Sequence, residues 1–292
     1  MQRSVTLSAP GKLNLTLEVV RRLPNGYHEI RSVFVRTDGL VDTLTLDWRG
    51  DDQNVSITAS ADSIPVDDTN ICHRAATRYL QAIGKTASLH IHIDKRIPVA
   101  AGMGGGSSDA AAVLRGLDGL YDKALRQHEL AELGAGIGKD VPFFLAGSRA
   151  AYASGMGEII EPLACAPRLS FLIVNPGIAV ATPRAYAMLD EQLPFMGARQ
   201  RVDVSRMMAR ALQTGDAHAI AATLYNDFEP LIEREHPIVK TLKQALRAFG
   251  ARGALMSGSG STVFGVFEDE PAARHAERAL RRLHPSLFIA VV

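Results

Sequence analysis

The residues best suited to chemistry sit in glycine-punctuated segments. The sharpest is Pro98-Val99-Ala100-Ala101-Gly102-Met103-Gly104-Gly105-Gly106-Ser107-Ser108-Asp109. Without Cβ atoms at Gly104, Gly105 and Gly106, main-chain N–H groups can approach an oxyanion, and a helix expected to begin near Ser107 adds unpaired amides and a positive dipole end. A polyphosphate fits such a cradle. The hydroxyls of Ser107 and Ser108 can bond phosphate, reach a phosphate-bound Mg²⁺ or cap the helix. A glycine run alone is more often a flexible connection. The order strand, glycines, Ser-Ser, helix is what favours phosphate.

A second segment, Ser8-Ala9-Pro10-Gly11-Lys12-Leu13-Asn14, brings a lysine into a strand after an expected turn. Lys12 can pair with a phosphoryl group or a neighbouring acid, or be a solvated charge at a strand end. In Gly136-Ile137-Gly138-Lys139-Asp140-Val141-Pro142, Asp140 can take a proton from a hydroxyl or cap a Pro-containing helix. Met256-Ser257-Gly258-Ser259-Gly260-Ser261-Thr262 can contact a further anionic group or connect a hairpin.

Known nucleotide loops fail by register. Gly138-Lys139 is followed by Asp140 and has Leu133 where a Walker loop needs its first glycine, and Gly11-Lys12 is followed by Leu13. The spacing Gly-x-Gly-x-x-Gly ends on Ser107 when started at Gly102, and on Val263 when started at Gly258.

These segments need a folded frame, and composition supplies one. The 292 residues are 47% hydrophobic and 22% charged with 25 Gly and 14 Pro, which excludes disorder, collagen-like repetition and a coiled-coil rod. Lys plus Arg total 32 against 31 Asp plus Glu, so no charge excess points to nucleic acid or acidic lipid. Cys72 and Cys165 form neither a metal spacing nor a disulfide framework, as expected of a reducing compartment. No metal-ligand set is assigned. No apolar run approaches the ~18 residues of a membrane span, and MQRSVTLSAPGK lacks a signal stretch. A cytoplasmic protein without a membrane partner is expected.

Alternation predicts antiparallel strands at 4–8, 13–19, 30–35, 43–47 and 55–58, with turns at 9–11 and 23–27. A helix is expected over 69–83 with Gly84 as its stop, then a strand at 89–93, the glycine loop and a helix over 109–120. Residues 134–142 read as turn-rich, and strands follow at 149–154 and 169–174. Helices are expected near 183–192, 203–213, 216–225 and 237–249, then a strand at 262–267, a helix from Pro271 and a strand at 287–292. A domain boundary falls near residue 160.

The set APGKLN at 9–14, PVAAGMGGGSSDAA at 98–111, GKDVPFFL at 138–145 and MSGSGST at 256–262 resembles the GHMP small-molecule kinase superfamily, in order and spacing over nearly the full length. Asn25-Gly26-Tyr27-His28 and the extended GMGGGSSDAA are most similar to the branch that phosphorylates the C2 hydroxyl of 4-diphosphocytidyl-2-C-methyl-D-erythritol from ATP, generally with Mg²⁺. The resemblance implies an α+β, two-domain GHMP kinase fold. Its N-terminal ATP-binding domain, 1–160, is ribosomal protein S5 domain 2-like, and its C-terminal domain, 161–292, is ferredoxin-like, with substrates held between them.

The same resemblance implies Asp140 as base with Lys12 as its electrostatic partner, and 98–108 as the ATP phosphate loop. It puts Asn70 and Lys95 near the adenine and ribose, and Asn14, Gly258 and Ser259 among the substrate contacts. Tyr27 and His28 match a cytidine-recognition pair, while Thr182 and Tyr186 match a further contact loop and a stacking aromatic. Aromatic faces can sandwich a pyrimidine and an imidazole can bond its edge; on residues alone, Tyr27 serves as well as a surface tyrosine and Tyr186 as a packing residue. Two positions depart from the family pattern, with consequences for substrate affinity and loop geometry: Lys139 stands where a small residue is expected, and Met156 where a basic one is.

The expected protein is thus a kinase of a small cytidyl alcohol, using ATP and Mg²⁺, as monomer or homodimer. A homoserine or mevalonate type of GHMP kinase is the nearest alternative, disfavoured by Tyr27-His28. A catalytically silent nucleotide-binding relative is the other, disfavoured by Lys12 with Asp140.

Overall fold

The computed structural model describes residues 3–52, 54–164, 170–192 and 202–292; Cys165 and the first residue of the strand expected at 169–174 lie outside them. The first fifty residues form two long strands, β1 (Arg3–Arg22) and β2 (His28–Gly50), where four short ones were expected. Residues 9–11 are not a turn. Pro10 costs the strand one N–H, and Gly11 is absent from the residues with positive φ, so the chain stays extended. The turn at 23–27 does form: Leu23 N donates to Tyr27 O at 2.7 Å and Asn25 Oδ1 accepts from Tyr27 N at 3.0 Å.

The chain divides into two compact units that are not blocks of sequence. One holds Met1–Gly11, Leu40–Val99 and Gly104–Ser148; the other holds Lys12–Gly39, Ala100–Met103 and Arg149–Val292. Both long strands contribute to each unit, and the glycine loop gives Ala100–Met103 to the second unit and its two ends to the first. Residue 160, the expected boundary, lies inside strand β6 (Ile159–Leu163) of the second unit.

The first unit adds β3 (Asn54–Ala59), α1 (Ile71–Ala82), β4 (Ser88–Asp94), α2 (Gly105–Leu120), α3 (Gln127–Ile137) and α4 (Val141–Ala146). β4 runs antiparallel to the second half of β2 but parallel to β3, from Asn54↔Ser88 to Ala59↔Ile93. This corrects the expectation that β3 is antiparallel: α1 carries the chain back to the same end, making a β–α–β crossover. α1 and α2 pack on each other, and Ala75 and Ala76 of α1 and Val113, Leu114 and Leu117 of α2 are buried. α3 occupies part of the expected turn region. Its Gly134 is a packing residue, since a Cβ there would come within 2.7 Å of Leu145 Cδ1 on α4.

The second unit holds β5 (Ala150–Ser154), β6, β7 (Ser170–Asn175), α5 (Thr182–Gln192), α6 (Val204–Thr214), α7 (Ala217–Thr223), β8 (Tyr225–Asn226), α8 (Glu229–Glu235), α9 (Ile238–Ala248), β9 (Gly253–Met256), β10 (Val263–Phe267), α10 (Glu270–Leu283) and β11 (Phe288–Val291). β5 pairs antiparallel with β2 and β6, and β8 lies parallel to β1. The later strands form an antiparallel sheet ordered β11-β7-β10-β9, a βαββαβ arrangement that is ferredoxin-like. Val239, Leu242 and Leu246 on α9, with Ala273, Ala276 and Leu280 on α10, recur at helical spacing and cover Leu172, Val174, Val263 and Phe267. Each of the buried Val, Leu and Phe side chains stabilises the sheet–helix layer by about 1.5–3 kcal/mol, and each alanine by less.

Candidate active site

In the first unit, the second half of the glycine loop becomes the start of α2. Gly104, at φ +66°, is the N-cap residue, and Ser108 N donates to Gly104 O at 2.9 Å. Ser107 is therefore inside the helix and is not its cap. α1, α6, α7 and α10 begin with Asn70, Asp203, Asp216 and Asp269, whose side chains accept from first-turn amides. α2 has no such acceptor, so its leading N–H groups are presented to whatever approaches. Ser107 and Pro98 are half-buried, Val99 is exposed and Ser108 is fully buried. Ser108 Oγ and Asp109 Oδ1 are buried without a hydrogen-bond partner among the described residues.

Behind that turn lies a buried ionic cluster. Lys95 Nζ is 2.6 Å from both Asp42 Oδ2 and Asp109 Oδ2, and Asp42 Oδ1 also accepts from Arg96 N at 2.6 Å and Ile97 N at 2.8 Å. Burial works against the Lys95 charge, but Asp109 and Asp42 together outweigh it and hold the amine above its ordinary range. Burial, then the charge of Asp42, pushes the Asp109 carboxyl up to about 7 against the pull of Lys95. Asn70 is likewise engaged: Oδ1 accepts from Cys72 N at 2.8 Å and Nδ2 donates to Pro65 O at 2.5 Å. The polar ends of both expected nucleotide contacts are thus spent inside the unit.

Asp140 precedes α4 but makes no side-chain capping bond to it, so the capping alternative is not realised. It is half-buried. Lys139 turns its ammonium to Ala135 O at 3.3 Å, onto the last carbonyls of α3, where a cation suits the helix dipole.

In the second unit, Lys12 is only 4% exposed, which excludes the solvated strand-end reading. Its Nζ donates to Asn14 Oδ1 at 2.5 Å and lies 4.8 Å from the centre of the Phe34 ring. Asn14 Nδ2 in turn donates to Ser32 Oγ at 2.9 Å, which aims the amide oxygen at the lysine. The backbone joins this cluster to the first half of the glycine loop. Lys12 N donates to Met103 O at 2.9 Å, Asn14 N to Ser257 Oγ at 3.2 Å, and Ser257 Oγ to Gly102 O at 3.0 Å. A Cβ on Gly102 would lie 2.1 Å from Ser257 O, so only glycine allows the two loops to touch. Ala101 O accepts from Thr262 N at 3.4 Å, and Ala100 takes φ +51°, uncommon for a residue with a Cβ. Ser257 to Gly260 lies in the hairpin connection, 257–262, of β9 and β10. Asn226 holds it through Nδ2 to Met256 O at 2.8 Å and Gly258 O at 2.9 Å, and Thr182 Oγ1 meets Ser259 Oγ at 3.2 Å.

An aromatic corner of the same unit follows the 23–27 turn. Tyr27 is 57% exposed, whereas His28 is buried and stacked on Tyr186, ring centres 4.6 Å apart and 16° from parallel. Phe228 meets Tyr186 edge-on at 4.8 Å. His28 Nε2 is 2.8 Å from Asp190 Oδ1, and Arg22 Nη1 is 3.6 Å from Asp190 Oδ2. Met156 sits in a turn where its N–H donates to Glu158 Oε2 at 2.7 Å.

Sequence reasoning missed Ser32, Asp42, Asp190 and Asn226. Asp190 carried a signal, standing one helical turn after Tyr186 on the same face of α5. Asp42 and Ser32 carried none, because their partners lie far along the chain.

A loop of glycines opening a helix, a lysine strand beside its first half and a ferredoxin-like sheet define a GHMP kinase. The GHMP kinases N terminal domain model matches residues 70–148, and the GHMP kinases C terminal model matches 208–286. A curated relative from Alkaliphilus metalliredigens is 38% identical over 97% of this chain and 94% of its own length. Another, from Geobacter metallireducens, is 39% identical over 99% and 98%. Both are named 4-diphosphocytidyl-2-C-methyl-D-erythritol kinase. A crystal structure of 4-(cytidine 5'-diphospho)-2C-methyl-D-erythritol kinase superposes with a TM-score of 0.78 at 35% identity, covering 98% of each chain. The chain belongs to the 4-diphosphocytidyl-2-C-methyl-D-erythritol kinase family. As a GHMP kinase it uses ATP as co-substrate. Among the described residues no helix is long and apolar enough to cross a membrane.

Proposed function

We propose that this kinase transfers the γ-phosphoryl group of ATP to the C2 hydroxyl of 4-diphosphocytidyl-2-C-methyl-D-erythritol, the compound in the names of its relatives. The observation that carries the catalytic reading is Lys12, whose ammonium is withdrawn from water and bonded to Asn14 while its backbone N–H donates to Met103 O of the glycine loop. Phosphoryl transfer asks a protein mainly for alignment and charge neutralisation.

In this reading the loop 98–108 and the leading amides of α2 cradle the phosphates, Lys12 neutralises charge on the transferring group, and Asp140 orients the hydroxyl. The C2 oxygen bonds to the γ-phosphorus as the bond to the β,γ-bridging oxygen breaks, releasing ADP. A carboxylate is too weak a base to strip an alcohol beforehand, so Asp140 accepts the proton as the new bond forms. Asn14, Gly258, Ser259 and Thr182 line the path of the alcohol, Tyr27 and His28 take the cytosine, and Tyr186 supports His28. Asn70 and Lys95 stand near the adenine and ribose in this reading and shape that end of the site, their side chains being engaged elsewhere.

Mg²⁺ fits the first turn of α2. Ser107 and Ser108 would hold it, and the buried, unpartnered Ser108 Oγ is an oxygen donor of the kind a hard cation takes. When bound, the ion lowers the charge on the β- and γ-phosphate oxygens. The rest of the reading is a cytoplasmic monomer or homodimer, with 1–160 and 161–292 as the two family domains.

ADP release coupled to NADH oxidation tests the reading. Turnover with the cytidyl alcohol, and none with homoserine or mevalonate, is expected. Turnover only with one of the latter, or ATP binding without any turnover, overturns it. Light scattering decides the oligomeric state.

A further inference from the structure

Tyr186 and Asp190 stand four residues apart on α5, so both side chains leave one face of that helix. Each engages the same imidazole. Tyr186 lies against the plane of His28, and Asp190 takes its Nε2 edge. One contact fixes the tilt of the ring and the other its rotation within the plane. A carboxylate only accepts, so the proton of a neutral imidazole must sit on Nε2. Nδ1, with no hydrogen bond to any described residue, is then left with a lone pair.

We infer that Asp190 is a specificity-determining positioning residue: by keeping the proton of His28 on Nε2, it makes Nδ1 an acceptor for the 4-amino group of cytosine. This rests on the proposed role of His28 at the pyrimidine. Cytosine offers two N–H donors at its 4-position, whereas uracil offers a carbonyl oxygen. An acceptor facing that position bonds the first and meets the second lone pair to lone pair. The opposite tautomer reverses the preference, so an imidazole free to exchange its proton reads neither base well. Sites that leave a polar group unpaired against the wrong ligand discriminate strongly.

A brace between α5 and the 23–27 turn would use the same His28–Asp190 bond, and Arg22 beside Asp190 adds to such a brace. The two roles differ in what they do to the ratio between pyrimidines. Asp190→Asn supplies an amide that can present either its oxygen or its NH₂ to Nε2, and so permits both tautomers. Asp190→Glu keeps an acceptor-only partner.

The test compares affinities of the full chain for CDP and UDP by calorimetry with the ATP site filled by ADP, and kcat/KM for the cytidyl alcohol and its uridine counterpart. Asp190→Asn is expected to cut the cytidine-to-uridine ratio about tenfold or more, through KM and Kd, with kcat nearly unchanged. Asp190→Glu is expected to retain most of the ratio. An unchanged ratio, or equal losses for both pyrimidines, overturns the inference. Should Asp190→Asn fail to fold, ¹⁵N shifts of His28 in the unaltered chain, assigned by difference with His28→Gln, decide between tautomers, and a proton on Nδ1 overturns it. Selective CDP binding that depends on Asp190 in a chain that never turns over the cytidyl alcohol would sink the proposed reaction and leave this inference standing.

Discussion

Lys12 and Lys95 are both hidden from water, one in each compact unit, and they join different parts of the chain. Lys95 meets two carboxylates, one of which also ties down two backbone amides. The contacts of Lys12 include a neutral amide oxygen and an aromatic face. Acids consume a buried charge and turn it into an anchor for β2, β4 and α2. The Lys12 ammonium is met by an amide that Ser32 holds in turn, on the strand whose backbone bonds the first half of the glycine loop. The partners of a buried lysine therefore say more about its use than its burial does.

Substitution separates the two. Lys95→Met leaves Asp42 and Asp109 buried without their cation, and should lower the free energy of unfolding by about 3–5 kcal/mol, read in urea. A variant as stable as the parent but unable to bind ATP would break the contrast and make Lys95 a direct ligand contact. Lys12→Met should slow kcat by about 100- to 1,000-fold while thermal unfolding moves by only a few degrees. Loss of fold with kcat preserved would mean that both lysines are anchors. Combined with Asp140→Asn, the losses should fall short of additive if the two residues serve one transition state.

The contrast extends to the glycine loop, of which Ala100–Met103 belongs to one unit and Gly104 onward to the other. Gly102→Ala sets a Cβ against the Ser257 carbonyl at φ +74° and should cost about 1–3 kcal/mol in stability, with weaker ATP binding. Gly106→Ala, which meets only Ile71 Cγ2 at 3.7 Å, should be close to neutral. Equal effects would show that the loop is a uniform flexible connection.

The smallest effect concerns protons. Asp109 titrates near 7 in the folded chain and at the ordinary 3.8 of a carboxyl when unfolded. Between those values the native state holds a proton that the unfolded state has released, so this group makes stability fall as pH rises from about 4 to 7. Asp109→Asn should flatten that slope in urea titrations at a series of pH values; an unaltered slope would remove the cluster as its source.

Much of the site was legible because its elements are local. The glycine loop announces α2 within a dozen residues, and the spacing of Val239, Leu242 and Leu246 announces a covered sheet. For Lys95 only the family resemblance suggests a use, and its two acids stay hidden from a sequence reading because they stand 53 and 14 residues away. α3 was missed because Gly134 and Gly136 read as breakers, although Gly134 serves a tight helix contact. Ala9-Pro10-Gly11 has the composition of a bend and runs straight, since its conformation is decided by strands alongside.

The interleaved chain path also orders events at the ribosome. Every residue of the first unit has been made once Ser148 is joined, but residues 12–39 and 100–103 belong to a unit that runs to Val292. Lys12 and Gly102 wait for Ser257, which at ordinary elongation speeds arrives on the order of ten seconds later. A nascent chain can thus finish one body while the strand bearing Lys12 is still without a home, and a message truncated before the β9–β10 connection leaves that strand without Ser257.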